Sequence, residues 1–301
     1  MDRLEAMTLL IAAADAGSLS GASRKLRVPL TTVSRRIAEL EKRLNVRLLH
    51  RGSRKVVLTE AGQRYVTSCR RVVEEIAEIE RTASGEYSAP QGELTISAPA
   101  VLGRSHVLPV LQEFLSGHPD IRARLDLTDR QVSLLDEHVD AVVRLGELAE
   151  SSMIATRVGL IRLMACASPA YLKKRGEPKK PVDLMKHDCI VHETHSGSND
   201  WNFVVGKVTR TILVPSRLSV TLGEAAVAAA VKGGGVVRAL SYLVEDSLKI
   251  RSLVPLLEAY EPPPVPVSVV YPGQRQVPVK LRAFLDFAVP RLRKRLGGAN
   301  G

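Results

Sequence analysis

Residues 18–44 have the sequence SLSGASRKLRVPLTTVSRRIAELEKRL, which predicts two short helices joined by a tight turn. Ser18 can cap the first helix, over 19–26, and Pro29 suits the first position of the second helix. The apolar residues of the second helix recur every three or four positions and therefore share one face: Val33, Ile37, Leu40 and Leu44. Two such helices, the second of them basic on its outer face, are typical of a helix-turn-helix domain.

The segments on either side extend this unit. A helix is predicted over 3–16, because its apolar residues keep helical spacing and Gly17 follows as a natural stop. Two short strand-like runs, 47–51 and 56–58, surround a basic loop that contains Gly52, a pattern that predicts a β-hairpin. A hairpin beside a helix-turn-helix is a wing, so the sequence predicts a winged helix-turn-helix.

Positive charge is concentrated in the same part of the chain. The 301 residues carry a net charge of +11, and residues 24–55 contain eleven basic residues against two acidic ones, Glu39 and Glu41. A solvated basic surface is one explanation of this charge. Contact with DNA phosphates is the favoured explanation, because the charges fall within a helical module.

A long helix is predicted from Glu60 to about Ala83, with Thr59 as its cap. Its apolar positions follow the heptad spacing of a coiled coil: Tyr65, Cys69, Val72, Ile76, Ile79 and Ala83. This seam packs either against the protein's own core or against a second copy. We favour a dimer, because the helix is long and its opposite face is charged. Residues 85–92 are rich in Gly, Ser and Pro and predict a linker.

The pattern changes beyond Gly92, where strands and helices alternate. Strands are predicted over 93–97, 121–127, 140–144 and 266–271, and helices over 105–116, 132–137, 224–232 and 279–292. A second unit is predicted over 162–264. Alternating strands and helices argue for an α/β sheet.

Composition and cysteine spacing exclude several other classes. The chain is 45% hydrophobic and 25% charged, which is typical of a folded protein. It has no apolar run of roughly 18 residues and no basic segment leading an apolar core at its start, so we expect no membrane partner, no signal peptide and a cytoplasmic location. Cys69, Cys166 and Cys189 lie far apart without a C-x-x-C pair, so neither a disulfide framework nor a zinc ribbon is expected. We expect no metal and no cofactor.

Four fragments of the N-terminal part resemble the LysR-type transcriptional regulators. They are AGSLS at 16–20, VSRRI at 33–37 followed by Leu40-Glu41, RLLHR at 47–51 and LTEAG at 58–62. In this order and at these spacings the fragments are specific to the family. The chain departs from the family at Pro29 and Leu30, where Ser-Gln is usual.

The C-terminal part resembles the effector domain of the same family. The segment DAVVRLG at 140–146 fits its D-x-A-x-R-x-G stretch. Two further segments, CASPAYL at 166–172 and EPPPVP at 261–266, resemble one large subgroup. The glycine-rich turn is followed by Leu240-Ser241, where the family often has Leu-Pro.

The resemblance implies an α/β protein with a winged helix-turn-helix and a long linker helix, then a two-lobed periplasmic-binding-protein-like α/β effector domain. The predicted divisions are the DNA-binding domain at 1–59, the linker and dimerisation helix with its hinge at 60–91, and the effector-binding domain at 92–301. Lobe 1 is expected at about 92–161 and 267–293, and lobe 2 at about 162–266.

The implied function is that of a sequence-specific transcriptional regulator that acts on promoters as a homo-oligomer and responds to a small molecule. The implied partners are double-stranded DNA with an interrupted palindrome, a small organic effector, a second copy in a dimer that pairs into a tetramer, and RNA polymerase. An enzyme has little support, because no nucleophile–base arrangement is evident. A solute-binding transport protein accounts for two lobes but not for the basic helical N-terminus.

The outer face of the helix after the turn suits the reading of DNA bases. Arginine can bond guanine through two N–H groups, and a threonine methyl can pack on thymine. Other polar and basic side chains here and in the wing suit phosphates or the minor groove. The predicted DNA-binding residues are Thr31, Thr32, Ser34, Arg35, Arg36, Arg51, Arg54 and Lys55. For each arginine, a solvated surface side chain is the alternative.

The resemblance also places a ligand between the two lobes. The candidate effector contacts are Ser97, Ala98, Pro99, Ala100, Thr128, Arg144, Thr194, Ser196 and Gly223. We expect an anionic ligand, because Arg144 and a helix start at Gly223 can face the cleft. A structural role, such as pairing of Arg144 with Asp140 or Glu147, is the alternative.

Three further patterns carry less weight. His192 and His195 are three positions apart, which differs from the H-E-x-x-H zinc pattern. The glycines at 233–235 are not followed by the Lys-Ser/Thr of a phosphate loop. Cys166 and Cys189 form either a redox pair or two buried structural thiols, and the second is commoner.

Overall fold

The computed structural model describes residues 2–50, 55–83, 89–130, 134, 139–147, 153–193, 199–273 and 277–297, with the backbone alone at 71, 74, 75, 78 and 81–83. It divides into two compact units, Met1–Gly92 and Glu93–Gly301. The tip of the predicted wing and nearly all of the helix predicted over 132–137 lie outside the described residues. No helix in the described part of the chain has the length and apolar character needed to cross a membrane.

The described N-terminal unit contains the helices α1 (Arg3–Ala16), α2 (Leu19–Leu26), α3 (Leu30–Leu44) and α4 (Glu60–Ala83). The Ser18 hydroxyl caps α2 as predicted, since it accepts a hydrogen bond from the Gly21 amide at 3.0 Å. Pro29 lies just outside α3 instead of being its first residue. Its backbone is extended, with ψ of 138°, and the helix begins one residue later than the sequence predicted.

The predicted apolar stripe of α3 is buried. Val33, Ile37 and Leu40 are at most 3% exposed and belong to one core with Leu9 and Leu10 of α1. The fourth member of the stripe, at position 44, is only partly buried. Burial of this stripe leaves the opposite side of α3 facing outward.

The Glu41 side chain, near the end of α3, attaches the wing to that helix. Its two strands meet at an antiparallel bridge between Leu49 and Leu58. The Glu41 carboxylate accepts hydrogen bonds from the amides of Leu48 and Leu49 at 2.7 and 3.0 Å. Gly62 lets α4 approach the same strand, because a Cβ there would lie 2.0 Å from the Leu48 carbonyl oxygen.

The first lobe of the C-terminal unit has a sheet with the strand order β2 (Ile121–Leu127), β1 (Gly92–Ala98), β3 (Ala141–Leu145), β12 (Val265–Pro272) and β4 (Met153–Ile161). A continuous helix is formed by α5 (Ala100–Leu102), a π-helical segment (Gly103–Val107) and α6 (Leu108–Ser116). The helix predicted from 105 therefore begins earlier. It packs on α10 (Val279–Gly297), where the Phe114 and Phe284 rings meet edge to face.

The second lobe has a sheet with the strand order β11 (Val254–Leu256), β5 (Leu163–Ala167), β10 (Val236–Leu240), β6 (Cys189–His192) and β9 (Ser216–Val220). Its helices are α7 (Pro169–Arg175), α8 (Gly223–Val231) and α9 (Ser241–Lys249). A separate hairpin of β7 (Asp200–Val205) and β8 (Val208–Leu213) lies over one face of this lobe and buries Trp201 and Phe203.

Two crossovers connect the lobes, and one arginine joins them. The chain enters the second lobe at Arg162 and leaves it after a 3-10 turn at Glu258–Tyr260. The Arg162 guanidinium donates hydrogen bonds to Glu261 at 2.7 and 2.9 Å and to Glu258 at 2.9 Å. These contacts raise the pKa of Arg162 and fix the crossovers next to each other.

Candidate DNA-binding surface and effector cleft

The outward face of α3 carries most of the predicted base-reading residues. Thr31, Ser34 and Arg35 are exposed, and Thr32 is half-buried beside them. The Arg35 side chain is 64% exposed, and within the described residues its only ion-pair partner is Glu39 at 4.0 Å. A pair at this distance in solvent holds the guanidinium weakly, so Arg35 is available to an approaching partner.

Arg36 differs from the other predicted DNA contacts. Its side chain is 24% exposed and forms ion pairs with Glu5 of α1 at 3.2 Å and Glu39 at 3.4 Å. These partners hold the guanidinium against the unit's own helices. These ion pairs give Arg36 a packing role between α1 and α3, and its phosphate contact stays a prediction.

Exposed basic side chains surround α3. They are Arg24, Lys25, Arg27, Lys42, Arg43, Arg47 and Lys55. Lys25 pairs with Asp15 at 3.7 Å. Arg51 and Arg54 of the predicted wing lie outside the described residues. The described part of the basic segment is thus a cationic surface, as nucleic-acid binding requires.

Leu30 is a surface residue that the sequence reasoning did not select. It is the first residue of α3 and is 47% exposed. An apolar side chain at the start of a recognition helix can contact the methyl group of thymine. Its departure from the family's usual residue was the available signal.

The predicted seam on α4 is divided between two environments. Cys69 is 2% exposed and is buried within its own unit, next to the buried Val66. Val72 and Ile79 are 38% and 62% exposed. The first turns of the seam therefore pack on the unit itself, and the later turns present apolar side chains to solvent.

A cavity of about 910 Å³ lies between the two lobes of the C-terminal unit. Seven of the nine predicted effector contacts line it, namely Ser97, Ala98, Pro99, Ala100, Thr128, Arg144 and Gly223. Thr194 and Ser196 lie outside the described residues. The carboxyl ends of β1 and β3 supply one wall, and the start of α8 supplies part of the other.

Two acidic side chains in the cavity wall are already engaged. Asp129 accepts a hydrogen bond from the Ala100 amide at 3.0 Å, at the start of α5. Glu224 of α8 forms an ion pair with Arg104 of the first lobe at 2.9 Å. The second contact links the two lobes directly.

Arg238 is the main cleft residue that the sequence reasoning missed. It lies on β10, lines the cavity and is half-buried. Its guanidinium is 5.6 Å from the centroid of the Trp201 ring and donates a hydrogen bond to the Asn202 carbonyl oxygen at 3.1 Å. Burial lowers the pKa of Arg238 to about 10. Its position inside an apolar strand, VVRAL, was the only signal in the sequence.

The cysteines do not form a redox pair within the described structure. Cys166 and Cys189 are free thiols on strands that flank β10, and they belong to different core clusters. Burial raises the pKa of each thiol to about 12, which suppresses the reactive thiolate. In the described residues no group of three or more His, Cys, Asp or Glu side chains is arranged to hold a metal ion.

Comparisons with known proteins cover both units. The family model described as "Bacterial regulatory helix-turn-helix protein, lysR family" matches residues 4–63, and the model "LysR substrate binding domain" matches residues 88–293. The HTH-type transcriptional regulator YhjC of Escherichia coli K12 is 32% identical over 289 residues, which covers 95% of this chain and 97% of that protein.

Solved structures agree. The Vibrio cholerae virulence activator AphB is 27% identical with a TM-score of 0.61, covering 96% of this chain and 99% of that one. CrgA, a LysR-type transcriptional regulator from Neisseria meningitidis, is 29% identical with a TM-score of 0.61, covering 96% and 98%. Since the two family models between them account for the exposed helix and the two-lobed cleft, the chain belongs to the LysR family of transcriptional regulators, with a DNA-binding N-terminal unit and an effector-binding C-terminal unit.

Proposed function

We propose that this regulator binds an interrupted palindrome as a dimer, and that a small organic effector in the interlobe cleft changes its affinity for that site. The observation that carries the proposal is the exposed face of α3, where Arg35 is 64% exposed inside a cationic surface. A two-fold dimer presents two copies of this helix, so its operator has two related half-sites.

The proposed roles within each half-site follow from side-chain chemistry. Arg35 reads a guanine, and Thr31, Thr32 and Ser34 contact neighbouring bases or phosphates. Lys55, with Arg51 and Arg54 of the wing, contacts the sugar–phosphate backbone. Leu30 packs on a thymine methyl group.

The exposed later turns of α4 support a dimer in which Val72, Ile76 and Ile79 meet the same residues of a second copy. Two dimers then pair through the effector units into a tetramer, as the family resemblance implies. On the same basis, the regulator acts in the cytoplasm and contacts RNA polymerase at promoters.

The test of base reading compares Arg35→Ala with Arg64→Ala. Arg64 is a suitable control because its side chain is 73% exposed and lies on α4. The operator is obtained by selecting bound fragments from a random-sequence DNA pool with the purified protein. We expect Arg35→Ala to lose about 1–3 kcal/mol on the selected fragment and much less on a scrambled one. Equal losses on both fragments for Arg35→Ala would show that Arg35 contacts phosphates and not a base.

A further inference from the structure

Arg238 is placed in the cleft wall by the alternation of β10. Its neighbours Val237 and Ala239 are buried in the core beneath α8 and α9. Since successive side chains of a strand point to opposite faces, Arg238 shares its face with Val236. That face is covered by the hairpin of β7 and β8, which brings the Trp201 ring beside the guanidinium.

Among the described residues, the Arg238 guanidinium has no anionic partner. Its contacts in the described structure are the hydrogen bond to the Asn202 carbonyl oxygen and the faces of Trp201 and Phe203, at 5.6 and 5.8 Å. Burial lowers the pKa of Arg238 to about 10, so the group stays charged at neutral pH. A desolvated cation without a counter-ion is unfavourable, and an arriving anion relieves that cost.

The acids of the cavity wall do not neutralise Arg238. Asp129 and Glu224 bond the Ala100 amide and Arg104, respectively. Glu147 and Asp200 also line the cavity, and neither forms an ion pair with Arg238. The cavity is lined by these four carboxylates and by three guanidinium groups, those of Arg130, Arg144 and Arg238, so the charge of its lining is about −1 and disfavours a ligand that carries several negative charges. It is compatible with a single negative charge placed directly on the Arg238 guanidinium.

Other groups around the cavity suit an organic body. Tyr242 lines the cavity, and burial raises the pKa of its hydroxyl, which therefore remains a hydrogen-bond donor. Leu163, Leu240 and Leu243 add apolar surface to the same wall. The cavity is therefore suited to a charged head beside β10 and an apolar remainder between the lobes.

We propose that Arg238 binds the carboxylate of the effector and that the effector is a small organic monocarboxylate with an apolar body. This inference rests on the proposed function, because it names the ligand class of the same cleft. Arginine matches a carboxylate through paired N–H groups, which a point charge such as lysine does not provide. Arg144, the cation favoured by the sequence, has other interactions of its own.

The chain offers an internal probe for this site. Trp201 is its single tryptophan and lines the cavity next to Arg238. The first experiment titrates the full-length protein with the matched probes benzoate and benzamide, hexanoate and hexanamide, and inorganic phosphate, while Trp201 fluorescence is recorded. Arg238→Gln removes the charge and keeps an amide that can reach Asn202. Arg210→Gln is the matched control, because Arg210 is exposed on β8 of the same hairpin.

We expect at least one carboxylate to change Trp201 fluorescence with an affinity about tenfold or more above that of its amide. Arg238→Gln should abolish this preference, and Arg210→Gln should leave it intact. Binding of phosphate in preference to both carboxylates, or wild-type carboxylate affinity in Arg238→Gln, would overturn the proposal. Failure of both carboxylates at 10 mM would overturn the ligand class.

A second experiment needs no ligand. Iodide and acrylamide quench tryptophan fluorescence, and only iodide is an anion. An open cation beside Trp201 concentrates iodide, so Arg238→Gln should reduce the iodide quenching constant at least twofold relative to acrylamide, with no change in Arg210→Gln. An unchanged ratio would refute the open cation. If the quenching ratio is unchanged and a neutral compound still alters DNA binding, the proposed function stands. Only the role of Arg238 is then removed.

Discussion

The hydrogen bonds of Arg162 to Glu258 and Glu261 form a clasp between the two crossovers that connect the lobes. The free energy that this clasp contributes to stability can be measured. Arg162→Ala deletes three hydrogen bonds, two to Glu261 and one to Glu258, with lengths of 2.7 to 2.9 Å. The side chains of Arg162, Glu261 and Glu258 are 32%, 11% and 53% exposed. Removal of one partner costs about 3–5 kcal/mol for a buried pair and about 0–1 kcal/mol for an exposed one. The clasp lies between these limits, so we expect a loss of roughly 2–3 kcal/mol.

Urea unfolding followed by Trp201 fluorescence measures this loss of unfolding free energy. The signal reports on the C-terminal unit, because the single tryptophan lies in its second lobe. Glu258→Gln is the matched control. Its carboxylate is largely exposed and accepts one of the three bonds, so its cost should stay below about 1 kcal/mol. If Arg162→Ala costs no more than Glu258→Gln, the clasp is a surface ion pair and the inferred coupling of the crossovers is wrong.

Three other perturbations test separate features. Ile76→Glu places a charge in the α4 seam and should lower the oligomer mass measured by light scattering. Gln63→Glu, on the exposed side of α4, should leave that mass unchanged. An unchanged mass for Ile76→Glu would mean that the subunits associate elsewhere. Burial lowers the pKa of His106 below 6.5, so its contribution to stability is complete above about pH 6.5 and is lost as the pH falls. The difference in unfolding free energy between wild type and His106→Gln should therefore shrink from pH 7 to pH 5. A constant difference would contradict this. Iodoacetamide at pH 8 should alkylate the native thiols far more slowly than the urea-unfolded ones, since burial raises the pKa values of Cys166 and Cys189 to about 12; rapid native labelling of Cys189 would contradict its burial.

Local signals made the helix-turn-helix predictable. The stripe of Val33, Ile37 and Leu40 is buried because a helical period identifies a face without knowledge of the partner. The Ser18 cap was predictable because it involves a residue three positions away. Pro29 was misplaced by one residue, since proline is accepted both as a cap and as a first helical residue, and the backbone conformation decides between them.

Long-range contacts were beyond the sequence patterns. The heptad spacing on α4 identified apolar positions, but it did not show that Cys69 packs within its own unit while Ile79 stays exposed. The sequence predicts a phosphate contact for Arg36, but it did not show that Arg36 also forms an ion pair with Glu5 on another helix. Arg238 lies 36 residues from its hydrogen-bond partner Asn202, so nothing near it along the chain marks it as a cleft residue.

The strength of the interlobe contacts bears on how an effector acts. The ion pair between Arg104 and Glu224 joins the lobes, and its side chains are 61% and 51% exposed. Such a pair contributes about 0–1 kcal/mol. A ligand that binds one lobe arrangement only tenfold more tightly than another shifts their equilibrium by about 1.4 kcal/mol. An effector with that preference would therefore outweigh the Arg104–Glu224 ion pair in setting which lobe arrangement is populated.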